Sequence, residues 1–552
     1  MLLRCGSASI RKEYLLPTRI VDSRGLECPG ELLYDKPAAI SWRTDNCARL
    51  TGKGAYVLLD FGRELCGGVR MAAREVQAPE TQALSVNQGA MFRLTFGESV
   101  GEACAPLGEK NAQNAHAARD FSVTVPSMSV QEFGQTGFRF LRAELLTDTP
   151  VRLTNLWAFC TLPDLAAEAS IVTNDPLVNR ILDTAAYTLK LCFQDGWIWD
   201  GIKRDRLVWC GDMHPEILTS LYLFGKTENV TNSLTFLREN TPADGWINNM
   251  PTYSAWWVAN LCEYVRLTGD TGYFDRNRDY AESILARFNR LVDEDGTMHL
   301  SPDPANDGNA YFLDWPTHLT PDERSGGAAL LVWTARQYLD RVDCPAAAAL
   351  IRKLAVHLNE PVTKKQVRAF QVLAGGDPSG ARDLLEQGGA RGMSTFMGYY
   401  ILTAAAQVGS GRMLEMMKDY YGAMLSRGAT TFWEDFDLDW LEGSGSIDEL
   451  PRPGQKDLHG DYGRFCYTRF RHSLCHGWSA GVAAFFVETV LGLSVGDGYR
   501  SVTVRPRLLG LTDVDAVLPT PFGPLEVHLH GGRTAVTAPA EIAVRVEERD
   551  RP

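Results

Sequence analysis

The sequence predicts a multidomain α and β protein, in which an (α/α)6 barrel is flanked by N-terminal and C-terminal antiparallel β-sandwich domains. The chain has 552 residues, which exceeds the usual size of one domain. Period-two alternation dominates the first part and returns at the end, whereas the long middle part shows helical spacing. We therefore expect an N-terminal accessory sandwich over 1–168, a barrel over 169–492 and a short C-terminal sandwich over 493–552.

The first part carries the pattern of short strands. Residues 92–96 and 121–125 alternate apolar and polar side chains. Residues 55–62 form an apolar run that we expect to end at Gly62, and a further strand is expected over 67–71. Such strands favour an antiparallel sandwich, for which a scaffolding role is favoured over sugar binding.

The helical part begins at Asn174-Asp175-Pro176, where a capping side chain precedes a proline suited to the first turn. Apolar residues then recur at helical spacing. Further helices are predicted over 254–268, 273–292, 327–342, 346–359, 395–408, 412–427 and 479–491. Short joints alternate with long acidic ones, such as 306–323 and 432–476. This alternation favours a barrel whose long loops build a site on one rim, with an irregular helical domain as the alternative.

The last sixty residues return to β-structure. Residues 501–505, 525–530 and 542–547 alternate as strands do. Three prolines, Pro519, Pro521 and Pro524, are expected to confine the chain between them to turns or edges.

Composition excludes several classes of protein. The net charge of −13 argues against binding to nucleic acid and to anionic membranes. Twelve scattered cysteines without a C-x-x-C pair indicate reduced thiols in a cytoplasmic protein. We expect no signal peptide in the first seven residues and no membrane-spanning segment. A homodimer is left open.

The chemistry is concentrated in residues 200–212. This stretch gathers three carboxylates, three cations and one indole, namely Asp200, Asp205, Asp212, Lys203, Arg204, Arg206 and Trp209. Carboxylates bind hydroxyl groups and move protons, and indole faces stack on sugar rings, so the composition is typical of a sugar subsite. The alternative is a solvated loop whose Asp212 caps a helix near Pro215.

A second carboxyl is needed for glycoside hydrolysis, and Glu434, on the long loop after Thr430-Thr431-Phe432-Trp433, is the best candidate. Other candidates are Asp314 with Trp315, and His476 before the last long helix. His214 and Asp212 have no convincing third ligand, so we predict neither a metal nor a cofactor. The Gly477–Gly481 stretch matches a nucleophile elbow, but its flanks do not, and Ser479 is expected to cap a helix.

The motif Asp200-x-x-x-Arg204-Asp205-Arg206-x-x-Trp209-x-Gly211-Asp212 resembles the signature of the α-L-rhamnosidases of glycoside hydrolase family 78. Residues 430–434 resemble the family's Thr-Thr-x-Trp-Glu motif, and 473–476 its Ser-x-x-His segment. Pieces of the flanking β-regions resemble the family's sandwiches, so the resemblance covers nearly the whole chain. The sequence departs from the family in one respect, because Asp205 stands where the general acid is usually glutamate.

The resemblance implies an inverting glycosidase that releases a terminal α-L-rhamnosyl residue, with the barrel as the catalytic domain. Asp205 would be the general acid and Glu434 the general base. The implied sugar ligands and walls are Asp200, Arg204, Trp209, Asp212, Asp314, Trp315, Trp433 and His476. Because a general acid needs a raised pKa, at least one of the arginines beside Asp205 should point away or pair with Asp200 or Asp212. A polysaccharide lyase and a catalytically idle sugar-binding homologue are the alternatives.

Overall fold

The computed structural model describes residues 10–35, 46–76, 89–242, 244–301, 308–465 and 467–547. The segment in which no signal peptide was expected lies outside these residues, as does the start of the acidic loop at Asn306. Within the described ranges, no helix combines the length and the apolar character that crossing a membrane requires.

The N-terminal part is a nine-stranded antiparallel β-structure around an apolar core. Its strands are β1 (Ile10–Leu15), β2 (Arg19–Arg24), β3 (Leu26–Glu27), β4 (Ala48–Leu50), β5 (Tyr56–Val76), β6 (Gly89–Gly97), β7 (Asp120–Pro126), β8 (Ser129–Leu145) and β9 (Val151–Pro163). A short helix, α1 (Val100–Cys104), follows β6.

The strands predicted over 55–62 and 67–71 form one strand of 21 residues, β5. The expected stop at Gly62 was wrong, because its φ of +81° supports an irregularity inside the strand rather than a turn that ends it. The register with β8 shifts between Asp60 and Leu65. At this shift β5 exchanges its partner β2 for β9.

Twelve α-helices follow within the described residues. They are α2 (Pro176–Cys192), α3 (Met213–Leu223), α4 (Glu228–Glu239), α5 (Pro251–Thr268), α6 (Thr271–Arg290), α7 (Glu323–Leu339), α8 (Pro345–Leu354), α9 (Lys365–Leu373), α10 (Ala381–Glu386), α11 (Gly398–Gln407), α12 (Met413–Ser426) and α13 (Gly481–Phe485). Helices α3, α5, α7, α9, α11 and α13 contact one another in sequence, and α13 returns to α3, which closes an inner ring. The predicted barrel and its flanking sandwiches are confirmed.

The buried residues of each helix reflect whether it belongs to the inner ring. Every residue of α3 is buried, as expected of a helix that neighbours surround on all sides. Helix α6 buries one face only and exposes its charged residues to solvent. At the start of α2, Asp175 accepts the Leu177 N–H at 2.9 Å, as the cap pattern predicted.

The C-terminal part contains two small sheets, and both use strands outside the predicted alternating runs. Strand β10 (Ser170–Thr173), which precedes the barrel, pairs with β17 (Asp513–Thr520), and β18 (Gly523–His530) and β19 (Arg533–Thr537) complete that sheet. The other sheet contains β15 (Leu493–Gly496), β16 (Ser501–Val504) and β20 (Ala543–Val546). Pro519 and Pro524 lie opposite each other in β17 and β18, one pair before the turn. The chain between them makes the hairpin turn at Pro521 and Phe522, which agrees with the expectation from the three prolines.

Candidate active site

The 200–212 segment is an irregular loop held against the segment around His476. A β-bridge joins Gly201 to His476, and the Gly477 N–H donates to the Asp200 carbonyl at 2.7 Å. The approach requires a glycine, because a Cβ at residue 201 would lie 2.7 Å from the Arg204 carbonyl oxygen. The loop therefore brings its acidic residues next to two distant parts of the chain.

Arg204 joins the two carboxyls that the sequence singled out. Its Nη1 donates to Asp205 Oδ1 at 2.6 Å, and its Nη2 donates to Glu434 Oε1. Arg206 turns away, since it donates to the Gln135 carbonyl and packs 4.5 Å over the Trp199 ring. One guanidinium thus holds Asp205 and Glu434 side by side while the neighbouring cation serves another contact.

Glu434 is buried and fixed by several hydrogen bonds. Its Oε2 accepts the Ser473 N–H at 3.0 Å, and its carbonyl accepts Thr395 Oγ1 at 2.6 Å and Trp478 Nε1 at 3.0 Å. Burial alone would raise the pKa of this carboxyl, but the Arg204 and His476 charges outweigh it and lower the pKa. Glu434 is therefore ionised at neutral pH, as a proton acceptor must be.

His476 lies at the centre of the remaining carboxylates. Its Nε2 is 3.5 Å from Glu434 Oε1, 3.6 Å from Asp200 Oδ2 and 3.9 Å from Asp212 Oδ2. Burial opposes its charged form, but the hydrogen bond to Asp200 and the surrounding carboxylates raise its pKa to about 9. His476 is therefore an imidazolium at neutral pH.

Asp212 occupies the residue before α3, yet its side chain makes no capping hydrogen bond. Its Oδ1 accepts the Tyr253 hydroxyl at 3.1 Å instead. Burial raises its pKa to about 8, with the Asp200 charge as a further cause and His476 opposing it. The capping alternative is therefore wrong for Asp212, which presents a protonated carboxyl at neutral pH.

A cavity of about 200 Å³ opens beside these groups. This volume lies below the roughly 300–1,000 Å³ of pockets for drug-sized ligands, so it suits one small ring. Its lining residues are Asp200, Trp209, Asp212, Met250, Tyr253, Asn309, Phe312, Trp315, Tyr467, His476 and Trp478. Acidic oxygens on one side and aromatic rings on the others give the arrangement that binds a sugar through its hydroxyl groups and its CH faces.

Five of the ten predicted site residues line this cavity, and Asp205, one of the other five, donates its backbone N–H to Asp200 Oδ2 at 3.3 Å. Asp200, Trp209, Asp212, Trp315 and His476 line it. Glu434 borders the site through His476, and Arg204 lies 4.1 Å from the Tyr467 ring. Two predicted ligands are placed elsewhere and do not line it, Asp314 and Trp433.

Asp314 and Trp433 serve local packing. Asp314 caps a short 3-10 turn by accepting the Trp315 N–H at 2.9 Å and accepts the Ser394 hydroxyl at 2.5 Å. Trp433 is only 1% exposed and packs edge-on against Phe436. A capping aspartate beside a tryptophan was the structural alternative for Asp314, and the geometry agrees with it.

Two other residues with sequence-based expectations also have structural roles. The Nδ1 of His214 bonds to the Tyr400 hydroxyl at 2.7 Å inside an aromatic cluster, where burial lowers its pKa to about 3. Ser479 lies in a 3-10 turn and donates to the His476 carbonyl at 2.6 Å, so it does not cap α13 as expected. The reason is that the turn begins before the helix and uses the hydroxyl internally.

Sequence reasoning missed several residues of the site. Tyr253, Phe312, Tyr467 and Trp478 provide much of the aromatic lining, and isolated aromatics carry no motif that marks them. His116, from the N-terminal part, places Nε2 3.3 Å from Asp205 Oδ1. Its left-handed φ of +64° was also beyond sequence reasoning, although such backbone is common at functional sites.

A second buried charge cluster, the interface cluster, contains Lys203, Glu98 and Glu102. The Nζ of Lys203 lies 2.9 Å from Glu98 Oε2 and 3.2 Å from Glu102 Oε1. It also donates to the carbonyls of Phe470 and His472 at 3.0 and 2.5 Å. These contacts join the N-terminal part to the barrel.

Comparison with known proteins agrees with the geometry. Residues 166–268 match the model of the bacterial alpha-L-rhamnosidase 6 hairpin glycosidase domain. An alpha-L-rhamnosidase of Alteromonas sp. (strain LOR) is 22% identical over an alignment that covers 93% of this chain and 58% of that relative. The chain thus spans a little over half of its length.

Two solved structures share the fold. The GH78 rhamnosidase of Bacillus sp. GL1 superposes with a TM-score of 0.71 at 20% identity, covering 95% of this chain and 56% of that one. The rhamnosidase of Klebsiella oxytoca with rhamnose bound gives 0.68 at 19% identity, covering 87% and 96%. The resemblance inferred from the 200–212 motif is confirmed.

Proposed function

We propose that this chain, which shares its domain model and fold with the α-L-rhamnosidases of glycoside hydrolase family 78, is an inverting glycosidase that releases terminal α-L-rhamnosyl residues. One observation carries the proposal: a single guanidinium, that of Arg204, holds Asp205 and Glu434 beside an aromatic cavity of one-sugar size. Two carboxyls at a sugar-sized cavity are what glycoside hydrolysis requires.

The role of Glu434 follows from its ionised state, and that of Asp205 is carried over from the motif that it shares with the family. Glu434 is ionised and would take a proton from the attacking water, while Asp205 would donate a proton to the leaving glycosidic oxygen. The C–O bond to the leaving group breaks as the water oxygen bonds to the anomeric carbon from the opposite face. Inversion needs the two carboxyls about 6.5–9.5 Å apart, and we expect that separation between Asp205 and Glu434.

The cavity would hold the sugar ring. Protonated Asp212 and imidazolium His476 are donors, and the carboxyl oxygens of Asp200 can accept, so the acidic side can meet hydroxyl groups of either orientation. Trp209 and Trp315 would cover the CH faces of the ring. We also retain Arg204, Asp314 and Trp433 as proposed contributors, the last two through packing beneath the site.

The cavity disfavours the polysaccharide lyase. A lyase needs cations that neutralise a uronate, whereas this cavity, as far as the chain is described, is lined by two aspartates and by no lysine or arginine. The argument for a catalytically idle homologue is the shorter side chain of Asp205. His116 and Arg204 nevertheless hold that side chain at the site.

Purified protein incubated with a panel of nitrophenyl glycosides tests the proposal. We expect nitrophenol release from the α-L-rhamnoside, and NMR of the first product should show the inverted β-anomer. Binding of rhamnose without release would support the idle homologue, and an unsaturated uronate formed from a polysaccharide would support the lyase. The same panel contains α-L-mannoside and β-D-glucoside as matched controls for sugar identity.

We further propose the domain limits 1–168, 169–492 and 493–552 and a cytoplasmic location. The location is supported by nine cysteines of the described residues that have free thiols. The homodimer stays a prediction, which sedimentation of the purified chain would test.

A further inference from the structure

The solvent face of the C-terminal sheet carries a group of histidines and carboxylates far from the proposed active site in sequence. His528 and His530 are two residues apart on β18 and therefore point to the same face. Across the ladder, Asp515 lies opposite His528 and Asp513 lies opposite His530. The alternate residues, Val514, Leu525, Val527 and Leu529 among them, are buried in the core.

The imidazole nitrogens converge on one oxygen. The Nδ1 of His528 and the Nε2 of His530 lie 2.6 and 2.8 Å from the same atom, Asp515 Oδ1. The other nitrogen of His530, Nδ1, lies 2.8 Å from Asp513 Oδ1. This second carboxylate orients the ring, as carboxylates commonly do for histidines that bind metals.

We propose that His528 Nδ1, His530 Nε2 and Asp515 Oδ1 form a binding site for a borderline divalent transition metal such as Zn²⁺. The three ligand atoms lie within 4.8 Å of one another. Metal–ligand bonds of about 2.0–2.2 Å in a tetrahedral site separate the ligand atoms by about 3.3 Å. The half-exposed side chains reach that geometry when their N···O contacts open by about 0.5–0.7 Å, an adjustment within ordinary rotamer motion.

The surroundings favour a dication. Asp513, Asp515 and Glu526 face this side of the sheet, and Glu526 Oε2 lies 3.7 Å from His528 Nε2. Arg533 stands opposite His530 on β19, and Val172 stands opposite Asp515 on β10. Three carboxylates against one arginine leave a negative field at the site. The solvent side leaves the fourth coordination position to water.

The ligand set selects the metal. Two imidazoles and one carboxylate suit Zn²⁺, Cu²⁺ and Ni²⁺, whereas Mg²⁺ and Ca²⁺ prefer oxygen ligands throughout. A bound ion would join β17 to β18 and would stabilise the folded sheet by mass action. This inference is independent of the rhamnosidase proposal, because none of its residues lines the cavity.

Calorimetric titration of the metal-free full chain with ZnCl₂ and with MgCl₂ tests the site. We expect one equivalent of Zn²⁺ to bind and to be lost in the His528→Ala/His530→Ala variant, with no binding of Mg²⁺. Asp513→Asn should weaken the binding by about 10–100-fold, since it removes only the carboxylate that orients His530.

Two controls separate this site from other histidines. His299 is an exposed single histidine that pairs with Asp293 at 2.8 Å. The His299→Ala variant should therefore still bind one equivalent of Zn²⁺. His476→Ala should also keep it, because Asp200, Asp212 and His476 form a separate group in the cavity. Zn²⁺ binding that is unchanged in the double variant, or that disappears in His476→Ala, overturns the proposal. Circular dichroism of the metal-free variants verifies that they are folded.

Discussion

Lys203 and Arg204 are neighbours in the chain, yet they belong to two buried charge clusters of different kinds. In the interface cluster, two carboxylates and two backbone carbonyls surround the ammonium of Lys203. The cavity cluster comprises Asp200, Arg204, Asp205, Asp212, Glu434 and His476. In it, Arg204 holds Asp205 and Glu434, while His476 Nδ1 and the neighbouring Trp209 Nε1 have no hydrogen-bond partner among the described residues.

The difference shows that buried charge alone does not identify a site. Both clusters require desolvation, which is costly unless each charge is paired. The three side chains of the interface cluster all have partners within the protein. The cavity cluster has unmet donors beside an open volume, so a ligand with hydroxyl groups can complete it.

The largest expected effect is on the cavity cluster. Glu434→Gln should lower kcat by about 10²–10⁴-fold, because the amide cannot accept a proton from water. Rhamnose binding should persist, since ground-state contacts survive, and calorimetry with rhamnose measures it. As the matched control, Glu488→Gln alters a partly buried glutamate, bonded to Tyr222 at 2.7 Å, and should leave kcat unchanged. Wild-type kcat in Glu434→Gln would remove this residue from the mechanism.

A substitution in the interface cluster should change the stability of the fold rather than the activity. Lys203→Met leaves Glu98 and Glu102 without their cation and should lower the free energy of unfolding by about 3–5 kcal/mol in urea titrations. Activity per folded molecule should change little.

The Arg204→Lys variant should lower activity rather than stability. Lysine keeps the positive charge but loses the two-pronged contact, so kcat should fall while stability is largely kept. Equal effects of both variants on kcat would contradict the division into two clusters.

Variants of Asp205 test whether this shorter side chain can act as the general acid. Asp205→Asn should slow an alkyl rhamnoside far more than a nitrophenyl rhamnoside, because a good leaving group needs little protonation. Asp205→Glu should keep or improve activity, since misplacement by about 1 Å can cost on the order of a hundredfold. Equal slowing of both substrates by Asp205→Asn would make Asp205 a binding residue, and protonated Asp212 would become the acid to test.

The pKa values of the cavity predict a loss of stability at high pH. His476, raised to about 9 in the folded state from 6.5, stabilises fully below pH 6.5 and ceases to do so as the pH rises through 9. Asp212, raised to about 8, also holds its proton more tightly when folded, so its contribution falls as the pH approaches 8. The free energy of unfolding should therefore decrease between pH 7 and 9, by up to about 1.4 kcal/mol per pH unit for each group. Asp212→Asn should flatten this slope in urea titrations, and an unchanged slope would contradict the assignment.

His116 should give the smallest effect. It contacts Asp205 from the N-terminal part and is 35% exposed, so His116→Ala should reduce kcat on an alkyl rhamnoside by only a few-fold. The nitrophenyl rhamnoside should be unaffected, which a purely structural defect would not achieve. His299→Ala, another exposed histidine that pairs with an aspartate, is the matched control.

The sequence by itself determined the order of the domains and the segments that carry the chemistry. Alternation and helical spacing depend on which side of an element is buried, so they are visible in residues such as Leu94 and Phe96 of β6 and in the capped start of α2. The composition of residues 200–212, together with their resemblance to a family motif, indicated a sugar site. Its acidic residues are close in sequence because one loop carries them.

Only the tertiary structure decided the partners of these residues. Arg204 meets Glu434 across 230 positions, and His116 meets Asp205 from another domain. The tertiary structure also places the side chains of Lys203 and Arg204 in different clusters. It places Asp314 and Trp433 outside the cavity lining. The physical reason is that protonation, burial and cavity shape depend on contacts between distant segments, which no local pattern of residues encodes.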